Sequence, residues 1–363
     1  MKLLLINTIP TGFNGITNAI FNLLSALQGK EIEIDFVTTK EPEKTFRDII
    51  ENNWGNIHIF PRDERPVLYF RSLYRLIKQN KYDIVHTHGN SHTMALEMLA
   101  AKMAGCRVRI SHGQNSTCYH LNLHRILTPL FKATCNYGFA CSRNAGEFLF
   151  RDMPFTVLKN GIDMKKFIFD ERNREKIRKE LNMEECIVIG NVAAMRREKN
   201  QLFLIDVFSE LYKTDKRYRM ILVGDGKDRK LIEEKIEGLG LSAAVHLTGF
   251  ADDAIYLSAM DTIVMPSVFE GLPISLIEEQ TNGLRCFISE NITKEIDTTG
   301  ENIFISLEKT ASEWADIISG TSIVRDQKFA EYCFKRTREA GFDINDEADW
   351  IMNFYQRCVN DIY

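Results

Sequence analysis

The chain has 363 residues, 44% hydrophobic and 26% charged, with a net charge of −4. This length allows two domains of ordinary size, each with its own core, and the composition is that of a globular protein. No run of about 18 apolar residues occurs, which excludes a membrane-spanning helix; the eight cysteines form no CxxC pair and no His/Cys ligand spacing, which argues against zinc and a disulfide framework and makes a reducing cytoplasm the expected compartment.

The chain opens on Met1–Ile6, which reads as a first buried strand; its apolar run is too short for a signal peptide and Asn7 breaks it. Apolar runs then predict strands over Leu3–Asn7, Ile32–Thr38, Ile57–Phe60, Ile84–His88, Arg107–Ser111, Tyr137–Cys141 and Phe155–Leu158. Helical patterns fall between them, among them Ile16–Leu27, Val67–Gln79, Thr93–Ala104 and Leu123–Ala133. Such alternation predicts a mostly parallel sheet covered on both faces.

At Lys159-Asn160-Gly161-Ile162-Asp163 the pattern resets on turn chemistry, and a charged helix follows over Glu171–Leu181. A second series predicts strands at Ile187–Val192, Met220–Val223, Val245–Thr248, Thr262–Met265 and Cys286–Ser289, and a last helix from Ile344 carries Trp350, Phe354 and Tyr355. The expected fold class is α/β, two doubly wound Rossmann-like domains facing each other across a cleft. Their boundaries are 1–160 and 161–343, with 344–363 packing back on the first, and ligands lie at the C-terminal strand ends. Charge is unevenly spread. The first 165 residues hold 20 Lys and Arg against 14 Asp and Glu, and the remainder 26 against 36, so the halves are expected to meet different partners.

Asp261–Gln280 concentrates the functional signal. A buried apolar run, Thr262–Met265, ends at Pro266-Ser267; Gly271 permits a tight turn, and Pro273 sits where a first helical residue belongs. A helix N-terminus following such a loop favours an anion, most commonly phosphate. Glu270 in the loop and Glu278 about a turn into the helix are placed to reach polyol hydroxyls.

In order along the chain stand Thr11-Gly12-Phe13-Asn14-Gly15, D-I-V-H-T-H-G (Asp83–Gly89), S-H-G (Ser111–Gly113), N-G-I-D (Asn160–Asp163), R-R-E-K-N (Arg196–Asn200), L-V-G-D-G (Leu222–Gly226), T-G-F (Thr248–Phe250) and E-x7-E (Glu270–Glu278). Together these resemble the retaining GT-B glycosyltransferases of family 4, over nearly the whole chain. Gly283–Asp297 resembles the bacterial capsule and exopolysaccharide branch.

The resemblance implies a nucleotide-sugar donor, UDP-linked by expectation, on the second domain and a glycan or lipid-linked saccharide acceptor on the first. Charge develops on the departing phosphate, so cations and N–H donors should converge there. Lys199 matches the family's phosphate lysine. Amides at Gly15, Leu272, Ile274 and around Pro273 would add donors, with Gly271 shaping the loop. Glu270 would hold sugar hydroxyls and Glu278 the ribose. His112 matches the histidine near the donor sugar and reacting centre. Gly224 is expected to line the nucleotide side and Phe250 to border the base. No separate cofactor and no nucleic-acid partner are expected, and no metal is needed if Lys199, an arginine and helix-end amides neutralise the diphosphate.

Three features stand apart. His86 and His88 form an HxH pair facing one way from a strand; with no third ligand in view, a structural or cleft-lining role is expected over a metal site. Where the family has an arginine five residues before the lysine, this chain has Ala194, so Arg196 or Arg197 is expected to supply that charge. Arg62, Arg65, Arg71, Arg75 and Lys78 surround the apolar face of the segment after Pro66, which reads either as an ordinary solvated helix or as a contact for an anionic membrane at the inner face of the plasma membrane.

The reading is a retaining, metal-independent sugar transferase of cell-surface polysaccharide synthesis. Its rivals are a non-catalytic nucleotide-sugar-binding subunit, motivated by Ala194, and a sugar-nucleotide 2-epimerase, against which E-x7-E speaks.

Overall fold

The computed structural model describes residues 1–12, 14–270 and 272–360. The chain divides into two units: residues 1–161 together with the last helix, Ile344–Asn360, and residues 162–343.

The first unit is built on strands β1 (Lys2–Asn7), β2 (Glu33–Thr38), β3 (Ile57–Ile59), β4 (Ile84–Gly89), β5 (Val108–Gly113), β6 (Tyr137–Ala140) and β7 (Thr156–Val157), all parallel in the order β3-β2-β1-β4-β5-β6-β7. Successive side chains of a strand point to opposite faces, and both faces are buried here. Leu3 and Leu5 pack with Ile84, Ile110 and the helices Gly15–Leu27 and Ile344–Asn360. Leu4, Ile6 and Val85 pack on the other face with the helices Pro66–Asn80, Ala95–Ala104 and Leu121–Thr134. Asn14 starts the helix Gly15–Leu27, its side-chain oxygen accepting the Thr17 N–H at 3.0 Å. The last helix returns to this unit because its apolar stripe belongs in this core: Ile351 and Tyr355 are fully buried, and Phe354 meets Tyr137 and Phe139 edge-on. Glu347 on the same helix accepts the Gly161 N–H at 3.0 Å.

The second unit has strands β8 (Ile187–Val192), β9 (Tyr218–Val223), β10 (Val245–Gly249), β11 (Thr262–Met265), β12 (Arg285–Ser289) and β13 (Ile303–Ile305), parallel in the order β10-β9-β8-β11-β12-β13. Strand β13 is absent from the sequence reading; it is a three-residue edge strand, too short for periodicity to reveal. Each sheet reverses its strand order at one point, between β1 and β4 in the first and between β8 and β11 in the second, and a doubly wound sheet binds ligands beside such a point.

Two expectations need correcting. Pro273 is the residue before the helix Ile274–Thr281, with φ −72° and ψ 105°, not its first helical residue. Arg62 does not belong to a solvated basic face. Its guanidinium donates to the fully buried Glu97 at 2.7 Å, Tyr69 OH donates to the same carboxylate at 2.8 Å, and a buried carboxylate requires such partners.

Candidate functional site

In the second unit the loops leaving β8 and β11 flank the point where strand order reverses, and they are stitched to one another. The Val268 N–H donates to the Glu198 carbonyl at 2.8 Å, and the Asn200 side-chain amide donates to the Pro266 carbonyl at 3.1 Å. This brings Lys199 against Glu270 in a direct, mostly buried ion pair. Asn200 sits in the left-handed region, φ 59°, where the short turn Arg197–Lys199 gives way to the helix Gln201–Thr214.

The helix Ile274–Thr281 follows at once. Leu272 and Ile274 are partly buried and pack their side chains against the core beneath. No side chain caps this helix, which leaves first-turn N–H groups for an anion. Gly271 lies outside the described residues.

Glu278 is half-buried on this helix. Burial, with Asp253 nearby, pushes its carboxyl up to about 8, and Lys166 partly opposes the rise. Lys166 Nζ lies 3.2 Å from Asp252 and 3.7 Å from Asp253, so the ammonium that acts on the second glutamate of E-x7-E is itself held by two carboxylates. Glu279 beside it is fully buried, and neither of its carboxyl oxygens has a hydrogen-bond partner among the described residues. Burial drives that carboxyl well above the usual range, with Glu278 adding to the effect.

Gly224 and Gly226 have a reason that sequence did not supply. A Cβ on Gly224 (φ 131°) would lie 2.1 Å from the Ala193 carbonyl oxygen, and one on Gly226 would lie 2.4 Å from that of Met195. They let the loop after β9 lie against the loop after β8, where the Met195 N–H donates to the Asp225 carbonyl at 2.9 Å. Arg196 and Arg197 are both exposed on that second loop, and neither makes an ion pair among the described residues. Ala194 offers only its carbonyl, to the Gln201 amide at 3.1 Å. Phe250 is 79% exposed just past β10.

In the first unit Gly15 opens its helix with open space around it, and Phe13 lies outside the described residues. His86 and His88 alternate onto one face of β4, and the parallel register sets His112 of β5 directly beside His88. All three rings are buried, with ligand-capable nitrogens within 4.8 Å of one another. Burial pushes all three imidazoles down, His112 to about 3. The third histidine missing from the HxH pair is therefore His112; strand register, which sequence does not carry, supplies it.

The chain is similar to known proteins in both of its units. The family model described as Glycosyltransferase Family 4 matches residues 13–166, and that described as Glycosyl transferases group 1 matches residues 173–340. The chain belongs to the family 4 glycosyltransferases. EpsF of Bacillus subtilis (strain 168) is 28% identical over 372 residues, covering 96% of this chain and 95% of its own. The Escherichia coli UDP-Gal:alpha-D-GlcNAc-diphosphoundecaprenol alpha-1,3-galactosyltransferase is 28% identical over 303 residues, 78% of each chain. Among solved structures, Anabaena Alr3699/HepE in complex with UDP superposes with a TM-score of 0.78 at 17% identity, over 98% of this chain and 100% of that one. The two sheets are those of the GT-B fold.

The sequence pointed to Lys199 and to the E-x7-E pair Glu270 and Glu278, but not to the contact between Lys199 and Glu270. It missed Lys166 and Asp253, which act on the Glu278 carboxyl from other elements and carry no motif of their own. It also missed Glu279, which follows Glu278 directly and carries no motif of its own.

Proposed function

We propose that this glycosyltransferase moves a sugar from a UDP-linked donor to a glycan or lipid-linked saccharide in cell-surface polysaccharide synthesis, with retention of anomeric configuration. The observation that carries the reading is the juxtaposition of Lys199, Glu270 and an uncapped helix N-terminus at the reversal point of the second sheet. A nucleotide diphosphate fits there: first-turn N–H groups and Lys199 meet phosphate, Glu270 meets sugar hydroxyls, and Glu278 meets the ribose diol. The leaving phosphate oxygen serves as the base for the acceptor hydroxyl, and the cations that receive its charge are worth most in the transition state. In this reading protein cations and amides neutralise the diphosphate without a metal ion.

A lipid-linked acceptor calls for contact with a membrane surface, and the exposed apolar residues of the first unit support one. Val67 and Leu68 are exposed at the start of the helix Pro66–Asn80; Leu121, Leu123 and Ile126 are exposed at the start of Leu121–Thr134, alongside Arg125. Apolar side chains beside basic ones suit an anionic lipid surface at the inner face of the plasma membrane. No helix among the described residues is long and apolar enough to cross a membrane.

The test is a panel of nucleotide sugars, read by donor hydrolysis and by thermal stabilisation, since a bound ligand raises stability by mass action. UDP-sugars should stabilise the chain and be slowly hydrolysed; stabilisation by another nucleotide alone would overturn the donor assignment. Ala194 favours a second reading, a nucleotide-sugar-binding subunit without turnover, which predicts stabilisation with no hydrolysis and no transfer.

A further inference from the structure

The N-G-I-D loop has no part in the phosphate and sugar contacts proposed above, yet it leads straight into the nucleotide side of the second unit. The Asp163 carboxylate accepts the Lys165 N–H at 3.2 Å and starts the short turn Met164–Phe167. Met164 and Phe167 are buried in the same core as Leu276 and Ile277 of the helix Ile274–Thr281, and Ala254 of the helix Asp253–Ala259 packs against that core. The Asn282 side-chain amide, just past the helix that carries Glu278, donates to the Phe167 carbonyl at 3.0 Å. The turn is thereby fixed to the helix of Glu278 and shares a core with the helix of Asp253.

Lys166 projects from this turn. Its Nζ lies 3.2 Å from Asp252 and 3.7 Å from Asp253, which stand at the start of their helix. A half-exposed lysine otherwise samples many rotamers, and two carboxylates give its ammonium one place. Glu278 makes no direct ion pair among the described residues; the charges that reach it are those of Asp253 and Lys166, of opposite sign.

We propose that Lys166 is a positioning residue of the nucleotide site: clamped by Asp252 and Asp253, its ammonium supplies the countercharge that lets Glu278 meet the ribose diol as a carboxylate. The role rests on the ribose reading of Glu278. An ionised carboxylate accepts from both hydroxyls of a diol, whereas the protonated form turns one oxygen into a donor. Burial and Asp253 push Glu278 towards that protonated form, and Lys166 opposes them. The coupling is mutual. Burial pulls the Lys166 ammonium down, while Asp253, Asp252 and Glu278 push it above its ordinary value. Burial likewise pushes the Asp253 carboxyl up, and Lys166 pulls it back. Glu279, next on the helix, is driven up by burial and then by Glu278; protonated, it adds no charge. Loss of the one ammonium leaves Asp253 acting on Glu278 uncompensated.

The test is the uridine affinity of the full chain from pH 6 to 9, measured by calorimetry. Lys166→Met should weaken binding about tenfold at pH 7, the low end of what a nearby opposite charge is worth, and the gap should close toward pH 9 as Glu278 ionises in both proteins. Lys166→Arg retains the charge and should keep the parent profile. Lys165→Met removes the same charge from the neighbouring exposed position and should also leave it unchanged. Asp253→Asn should act in the opposite sense and strengthen binding at pH 7; it keeps the side-chain oxygen that accepts the Ala254 N–H at 2.9 Å, and it decides should Lys166→Met fail to fold. A loss by the same factor at every pH in Lys166→Met is a structural effect and overturns the role, as does unchanged or weaker uridine binding in Asp253→Asn. A parent profile flat over this range is a different failure: it removes Glu278 from the ribose, and this role with it.

Discussion

The Lys199 ammonium is paired with the Glu270 carboxylate, so the cation proposed for the donor's phosphate is held by the group proposed for its sugar. The side chains are 19% and 11% exposed, which shields the pair from the screening that makes surface ion pairs weak. A donor entering here must redistribute that contact, taking Lys199 onto phosphate and Glu270 onto hydroxyls. In the proposed role the pair keeps both charges in place until the substrate supplies new partners.

Removing either member has a distinct expected result. Lys199→Ala should lower turnover by about a hundredfold or more, visible in kcat as well as KM, because the phosphate charge it meets grows in the transition state. Glu270→Gln should spare UDP affinity and weaken the intact donor. A double-mutant cycle on donor hydrolysis should show the two as coupled, not additive. Unchanged turnover in Lys199→Ala would remove it from the site.

In the role proposed for it, Glu278 should make nucleotide binding depend on pH. Its carboxyl is raised from 4.5 to about 8, by burial first and then by Asp253, against the pull of Lys166. A ribose diol donates to the ionised form, so affinity should fall as pH drops below about 8, by up to tenfold per unit. Uridine is the probe, because it has no phosphate to titrate. The free chain shows the opposite trend. Between 4.5 and about 8 its folded state holds a proton that the unfolded state releases, so this group's contribution to stability is lost as pH rises through that window. Glu278→Gln should flatten both profiles; a uridine affinity flat from pH 6 to 9 in the parent would exclude Glu278 from the ribose.

Much of this was legible in the chain itself. Strands β8 and β11 fall where their apolar runs put them, and in β11 a strand buried on both faces writes itself as an unbroken run. The two-residue β7 and the edge strand β13 are set by their neighbours in the sheet, and their ends or existence are not written locally. The site divides the same way. Lys199 and Glu270 stand in recognisable motifs, but their pairing follows from Val268 and Asn200 stitching two loops together. His112 reaches His86 and His88 through parallel register, and Arg62 leaves the surface because Glu97 needs it inside.

The glycines of the loop after β9 separate structural need from ligand contact. Gly226→Ala places a carbon against the Met195 backbone, and no flexible side chain is there to yield. Stability should fall by about 1–3 kcal/mol, the range for overpacking, measured by denaturant unfolding. Uridine affinity should fall with it, as the segment carrying Arg196 to Lys199 shifts. Gly15→Ala, with nothing near its new methyl, should keep full stability. Equal stability of the two variants would refute the close approach of these loops.

The missing arginine gives the sharpest test of transfer against binding alone. Ala194 leaves the diphosphate one cation short of the family's pattern, while Arg196 and Arg197 stand exposed two and three residues on. A guanidinium is permanently charged and reaches several ångströms, so either can serve from a shifted origin. If one does, its Arg→Ala variant should lose about as much donor hydrolysis as Lys199→Ala, a hundredfold in order of magnitude, and the other should be nearly silent. Ala194→Arg should then restore part of the loss, because both side chains would meet the same diphosphate. A binding subunit behaves differently: its parent shows no hydrolysis, neither Arg→Ala change alters that, and Ala194→Arg alone is the variant with a chance of gaining turnover. Hydrolysis in the parent that survives the double change Arg196→Ala and Arg197→Ala would exclude both arginines as the substitute and leave Lys199 and the helix amides to carry the leaving charge alone.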